Sequence, residues 1–242
     1  MILTGEASLM EGMELASPPP SGTPTPEAIS RWAEDNDYTV DSLVWLSELG
    51  AITAKLTRDE WPVLFAKWSP DEDLIDEAER LSWLSGRFPS PRMADYVDLG
   101  EGSLLVTVEF KGESAVSERW KGEPDVAARA IGEGLGRLHA MDPSDSLFGA
   151  PDWVGDQDDV DHPVVIHGDA CAPNTLLADD GSFAGIVDVG GLGVADRWAD
   201  LAVASHSIDQ NFGPGHQDAF WEAYGEQPDE EKVRHYLKLW EG

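Results

Sequence analysis

The chain has 242 residues, enough for one large domain or two lobes, and 41% of them are hydrophobic, enough for a sizeable core. With 47 acidic against 16 basic residues the net charge is −31, which repels phosphate backbones and speaks against nucleic acid as a partner; most of it reads as plain solvation, while a minority of charges near the site could select a cationic small molecule. No apolar run approaches the ~20 residues of a membrane span, no secretory signal opens the chain, and a single cysteine excludes an intrachain disulfide, which together predict a cytoplasmic protein with no membrane partner.

Residues 1–26 carry Met1, Met10 and Met13, then Pro18-Pro19-Pro20, Pro24 and Pro26, and are expected to form a flexible arm, part of it upstream of the true start. Residues 27–36 read as a short helix. Three β-type patterns follow at 38–45, 52–57 and 62–68, separated by Gly50 and the turn 57–60, and predict a small antiparallel sheet. The third puts Lys67 inside an apolar run, where a charge needs a partner or an anion. Residues 73–85 have helical periodicity, with Leu74, Glu77/Ala78, Leu81 and Leu84 on one face, so Glu77 lies on the inward stripe. A strand lysine followed by an inward helix glutamate is the pair that holds α/β-phosphates in kinases; a structural salt bridge is the plain alternative.

Residues 103–109 read as a strand ending near Phe110, where a kinase-like chain would cross between lobes and meet adenine. A helix over 125–141 contains Gly132, Gly134 and Gly136, each costing about 0.8–1 kcal/mol relative to Ala. The loop 151–162 holds Asp152, Asp156, Asp158, Asp159 and Asp161 and no basic residue; it is either a solvated loop or a negative lip beside a cationic substrate. The apolar run 164–166 then delivers His167-Gly-Asp169, with Asn174 at i+5, and the run 183–187 ends in Asp188-Val-Gly190. One carboxylate to orient a hydroxyl, plus an amide and a second carboxylate to hold Mg²⁺ on a triphosphate, is a phosphoryl-transfer set with kinase spacing. Helices are expected over 195–208, 217–224 and 229–240.

The segments from His167 to Asn174, Ile186 to Arg197 and Ala199 to Ala202 resemble the aminoglycoside 3'-phosphotransferases, as do Pro62 to Lys67, Asp76 to Leu84, Arg137 to Pro143 and the tail from Asp218 to Leu237. The resemblance keeps the family's order from about residue 38 onward. It implies an α+β, protein-kinase-like two-lobed fold: an N-lobe over 27–109 with a small antiparallel sheet plus helix, and a mainly helical C-lobe over 110–242 carrying the catalytic loop, metal site and acceptor site. It implies ATP and Mg²⁺ as cofactors and an antibiotic hydroxyl as acceptor. Residue by residue, Asp169 handles the hydroxyl proton, Asn174 and Asp188 hold Mg²⁺, Lys67 contacts the phosphates, Glu77 fixes Lys67, Phe110 lies at the nucleotide and His167 braces the loop. Arg197, Asp159, Asp209 and Glu241 are the candidates for the substrate.

Four departures bear on the acceptor. The helical insert of the family between Pro143 and His167 is replaced by the acidic loop. Amides, Gln210-Asn211, stand where carboxylates often do. The tail reads Leu239-Trp240-Glu241-Gly242, and the nucleotide loop at 50–53 is short, as is the Lys67–Glu77 interval. These leave open a kinase of another small alcohol, or a non-catalytic nucleotide-binding relative. A metal or hydrolytic site on His162, His167 and Asp169 has poor ligand spacing, and Cys171 has no dedicated base in sequence.

Overall fold

A computed structural model describes residues 18–47, 50–71, 73–155, 160 and 163–242. The acidic residues Asp156, Asp158, Asp159 and Asp161 and His162 lie outside the described residues, as do Met1, Met10 and Met13. The fold divides into two compact units: the described chain through Ser82 together with Pro91–Glu109, and Trp83–Ser90 together with Phe110–Gly242. Among the described residues no helix is long and apolar enough to cross a membrane.

The first unit is α+β. Helix α1 (Glu27–Asp35) is followed by strands β1 (Thr39–Leu46), β2 (Ile52–Thr57) and β3 (Leu64–Ser69), helix α2 (Ile75–Leu84) and strands β4 (Arg92–Asp98) and β5 (Ser103–Val108). The strands form one antiparallel sheet in the order β1-β2-β3-β5-β4, so β3 is central. Strand β2 alternates buried and half-buried residues, the mark of a sheet with one face on a core. That core joins Ile29 and Ala33 of α1 to Leu46, Ile52, Ala54, Leu56, Leu64, Ala66, Leu104 and Val106. Ile29 and Ala33 are one helical turn apart, which brings both to the sheet.

Strand β4 has no counterpart in the sequence reading. Its residues, Arg-Met-Ala-Asp-Tyr-Val-Asp, bury none of their side chains fully, as suits an edge strand. It is pinned instead by polar contacts: Trp32 Nε1 donates to Asp95 Oδ2 at 2.7 Å, and Tyr96 donates to Asp73. Gly102 makes the β4–β5 turn at φ +74, where a Cβ would meet the Ser69 carbonyl oxygen at 2.1 Å.

The second unit continues with β6 (Glu113–Ser114), α3 (Glu118–Lys121), α4 (Pro124–His139), β7 (Pro163–Ile166), β8 (Thr175–Leu177), β9 (Phe183–Ile186), β10 (Gly193–Asp196), α5 (Trp198–Phe212), α6 (Gln217–Tyr224) and α7 (Glu230–Glu241). The glycines of α4 have different explanations. A Cβ on Gly132 would meet the Phe220 carbonyl oxygen of α6 at 2.4 Å, and one on Gly134 would meet the Phe183 ring at 2.5 Å, so both permit close packing. Gly136 has only Tyr224 nearby, at 3.8 Å.

The helix expected from residue 195 begins at Trp198, because Gly193–Asp196 pairs with β7 instead. Asp196 Oδ1 accepts the Trp198 N–H at 2.9 Å, marking the switch from strand to helix. At its other end α5 runs on to Phe212 and stops at Gly213, φ +81. From Trp198 to Ile208 every residue but His206 is buried, so this helix is the interior of the unit.

Candidate active site

In the second unit, the loop from His167 to Asn174 leaves β7 and enters β8. Its backbone is tied to α5 at two places. Asp200, fully buried, accepts the His167 N–H on Oδ2 at 2.6 Å and the Gly168 N–H on Oδ1 at 3.0 Å. Ser207 Oγ accepts the Ala172 N–H at 2.9 Å. Seven residues separate Asp200 and Ser207, two helical turns, so one face of α5 supports both ends of the loop. Asp200 Oδ2 also lies 3.1 Å from His139 Nε2, whose Nδ1 lies 2.9 Å from the Tyr224 hydroxyl. Burial pushes the Tyr224 phenol up, against the opposing effect of the Arg197 charge.

Within the loop, His167 is 1% exposed and bridges two segments. Its Nδ1 accepts the Asp169 N–H at 3.3 Å, which leaves Nε2 to donate to the Val187 carbonyl oxygen at 3.0 Å. Asn174 Nδ2 donates to both the backbone oxygen and Oδ2 of Asp169, each at 3.0 Å. The other carboxylate oxygen, Asp169 Oδ1, is buried and has no hydrogen-bond partner among the described residues. A buried acceptor of that kind is costly unless something meets it.

Asp188 is brought in by the hairpin β8–β9. Thr175 pairs with Ile186, and the next rung is the Val187 N–H donating to the Asn174 carbonyl oxygen at 3.0 Å. Val187 thus bonds to both His167 and Asn174, and Asp188 is the next residue, in the left-handed region at φ +58. Backbone strain in a non-glycine residue recurs at functional sites. The turn after it presses on the loop: a Cβ on Gly168, φ +80, would meet the Gly191 carbonyl oxygen at 2.0 Å. Among the described residues no three His, Cys, Asp or Glu side chains form a metal cage. An ion held by one or two protein ligands plus substrate phosphates, the usual manner of Mg²⁺, needs none.

In the first unit, Lys67 Nζ and Glu77 Oε2 stand 2.9 Å apart, with side-chain exposures of 22% and 10%. Lys67 alternates with Ala66, whose side chain is in the α1-side core, so Lys67 points to the opposite face of the sheet. Ala78 and Leu81 of α2 are buried, and Glu77 is buried on the same stripe at 8% exposure.

The remaining candidates are dispersed. The Phe110 ring covers Gly185 of β9, where a Cβ would meet it at 2.6 Å. Arg197 Nη1 donates to Glu226 Oε1 at 2.7 Å; burial works against its charge, and Glu226 together with Tyr224 more than offsets this, so the guanidinium lies above its ordinary value. Asp196 pairs with Pro163 and Gly193 with Ile166, so Arg197 follows the end of the β7–β10 ribbon opposite to the His167 end. Asp209 Oδ2 accepts from Gln217 Nε2 at 2.7 Å, and Glu241 is exposed at the end of α7. Asp159 lies outside the described residues.

Asp200, Ser207 and His139 carry no role in the sequence reading. A signal for Asp200 was present: it is a charge inside Trp-Ala-Asp-Leu-Ala-Val-Ala, the same anomaly that singles out Lys67.

A family model described as the phosphotransferase enzyme family matches residues 149–236. An aminoglycoside 3'-phosphotransferase of Streptomyces fradiae is 32% identical over an alignment covering 78% of this chain and 90% of that protein. A streptomycin 3''-kinase of Streptomyces griseus is 30% identical, covering 81% and 90%. The crystal structure of an aminoglycoside-3'-phosphotransferase of type VIII superimposes with a TM-score of 0.75 at 25% identity, covering 88% of this chain and 98% of that one.

Proposed function

The chain belongs to the aminoglycoside 3'-phosphotransferase family and is a phosphotransferase with a hydroxyl acceptor; from that premise we propose that it moves the γ-phosphate of ATP to a hydroxyl of an aminoglycoside. The observation that carries the reading is the Asp169–Asn174 pair with Asp169 Oδ1 buried and unmet. The Asp169 carboxylate accepts the proton of the acceptor hydroxyl while that oxygen bonds to the γ-phosphorus and the bond to the β-phosphate oxygen breaks, releasing ADP. Holding the hydroxyl in line beside this carboxylate supplies much of the rate.

The side chains fit Mg²⁺. Asn174 spends its Nδ2 on Asp169, so its amide oxygen is the pole left for a cation, and Asp188 adds a carboxylate one residue beyond the rung that joins Val187 to Asn174. When bound, Mg²⁺ neutralises charge on the β- and γ-phosphate oxygens. Lys67, oriented by Glu77, contacts the α/β-phosphates. The net charge of −31 suits an acceptor bearing several ammonium groups.

Similarity to both a 3'- and a 3''-directed relative keeps the ring position as a choice for experiment. The test is ADP release from Mg·ATP across a panel of aminoglycosides and other small alcohols, with Asp169→Ala as control. The expected result is release that depends on an aminoglycoside and vanishes in the variant. Release with neutral alcohols alone would replace the acceptor class, and no release with any acceptor would overturn the reading.

A further inference from the structure

Trp153 is half-buried in the segment that precedes β7, and the reaction described above does not use it. Its Nε1 donates to the Gly168 carbonyl oxygen at 2.8 Å. Its ring meets Trp240 of α7 edge to face, with centroids 5.0 Å apart and planes at 84°. Gly168 O and Asp169 N belong to one peptide unit. Trp153 therefore holds the oxygen of that unit while His167 Nδ1 holds its N–H at 3.3 Å. The peptide one residue earlier is already fixed by the Gly168 N–H on Asp200.

We propose that Trp153 is a positioning residue for Asp169, and that Trp240 in the last turn of α7 keeps the Trp153 indole aimed at the loop. Gly168 at φ +80 has no Cβ, so it lacks the side-chain limit on peptide rotation that every other residue of the loop carries. Rotation of the Gly168–Asp169 peptide swings the Asp169 Cα–Cβ bond, and with it the carboxylate, away from the acceptor hydroxyl. The His167 contact is long for a hydrogen bond, so the Trp153 bond is the shorter of the two that resist rotation. The C-terminal helix is thereby coupled to the reacting carboxylate through one indole.

The inference rests on the assignment of Asp169 to proton transfer, and its test separates the two. Trp153→Phe keeps an aromatic ring at the position and removes the Nε1–H, and because the ring is smaller than indole it also trims the contact with Trp240. It is expected to lower kcat by roughly three- to tenfold, the worth of one hydrogen bond, with KM for nucleotide and acceptor and the thermal midpoint near wild type. Trp240→Ala is expected to lower kcat in the same manner, and the double variant to lose no more than Trp153→Phe alone. Trp61→Phe, an exposed indole in the first unit, controls for tryptophan replacement. Wild-type kcat in Trp153→Phe, or a rise in KM without loss of kcat, overturns the proposal. Should the wild-type chain turn over no acceptor, hydrogen exchange decides it. The Trp153 indole N–H and the Asp169 amide should exchange slowly, and Trp240→Ala should speed both. Equal exchange in wild type and variant overturns it.

Discussion

Asp200 holds His167 by its backbone: the Asp200 Oδ2–His167 N distance is 2.6 Å, in a place with no solvent access. The same carboxylate serves Gly168 and faces His139, so three groups depend on it. Asp200→Ala leaves two buried N–H groups and a histidine without their acceptor. It should cost about 3–5 kcal/mol, the range for removing one member of a buried charged network. Urea denaturation measures this, and a variant within 1 kcal/mol (about the worth of one ordinary hydrogen bond) would mean that other groups take over.

Asp169→Asn keeps the shape of the side chain and removes the carboxylate proposed to accept the proton. Turnover should fall by about 10²–10⁴-fold, the usual contribution of a positioned base, while nucleotide affinity changes little. Single-turnover kinetics with a nucleotide-binding titration separates the two.

Lys67→Ala should raise the KM for nucleotide by roughly ten- to hundredfold, as expected for loss of a charge-assisted contact. It also takes a cation from Glu77, which is 8% exposed, so the thermal midpoint should fall. Lys67→Ala combined with Glu77→Gln should recover stability without recovering nucleotide KM. Recovery of both would reduce the pair to a structural salt bridge.

Two glycine substitutions should move stability in opposite directions. Gly136→Ala brings a methyl into ordinary van der Waals contact with Tyr224 at 3.8 Å and should stabilise the helix by up to about 1 kcal/mol. Gly168→Ala puts a methyl 2.0 Å from a backbone oxygen at a positive φ and should destabilise strongly and abolish turnover. Thermal denaturation of the pair checks both.

The residues of the candidate site stood out in the sequence because each broke a local pattern. Lys67 interrupts an apolar strand, Glu77 sits on an apolar helix stripe, and Asp169 and Asp188 each follow a buried run. The supporting contacts were less visible. Trp153 and Gly168 are fifteen residues apart, and nothing in either neighbourhood points to the other. Strands β4 and β10 were missed for a different reason. β4 presents Arg92, Asp95 and Asp98 at an edge, and β10 is a four-residue ribbon whose Val-Ala reads as well as helix. Pairing with β7 decides its state, which is a tertiary preference overriding a local one.

The Tyr96 phenol is raised to about 12, first by its hydrogen bond to Asp73 and then by burial and the charges of Asp73 and Asp98. A raised phenol favours its neutral form in the fold. Its contribution is complete below about pH 10, the unperturbed tyrosine value, and is lost as pH climbs toward about 12. Following phenolate absorbance, Asp73→Asn should bring one of the four tyrosines back toward the ordinary range. An unchanged titration would mean that Asp73 does not hold it.

Helix α5 acts as a template whose phase matters as much as its composition. Asp200 and Ser207 reach the loop from His167 to Asn174 because two turns return them to one side. A single residue inserted between them would rotate Ser207 by about 100° while leaving Asp200 in place. The loop would then be anchored at His167 and adrift at Ala172. The stretch from 200 to 207 should therefore tolerate changes of side-chain size far better than changes of length.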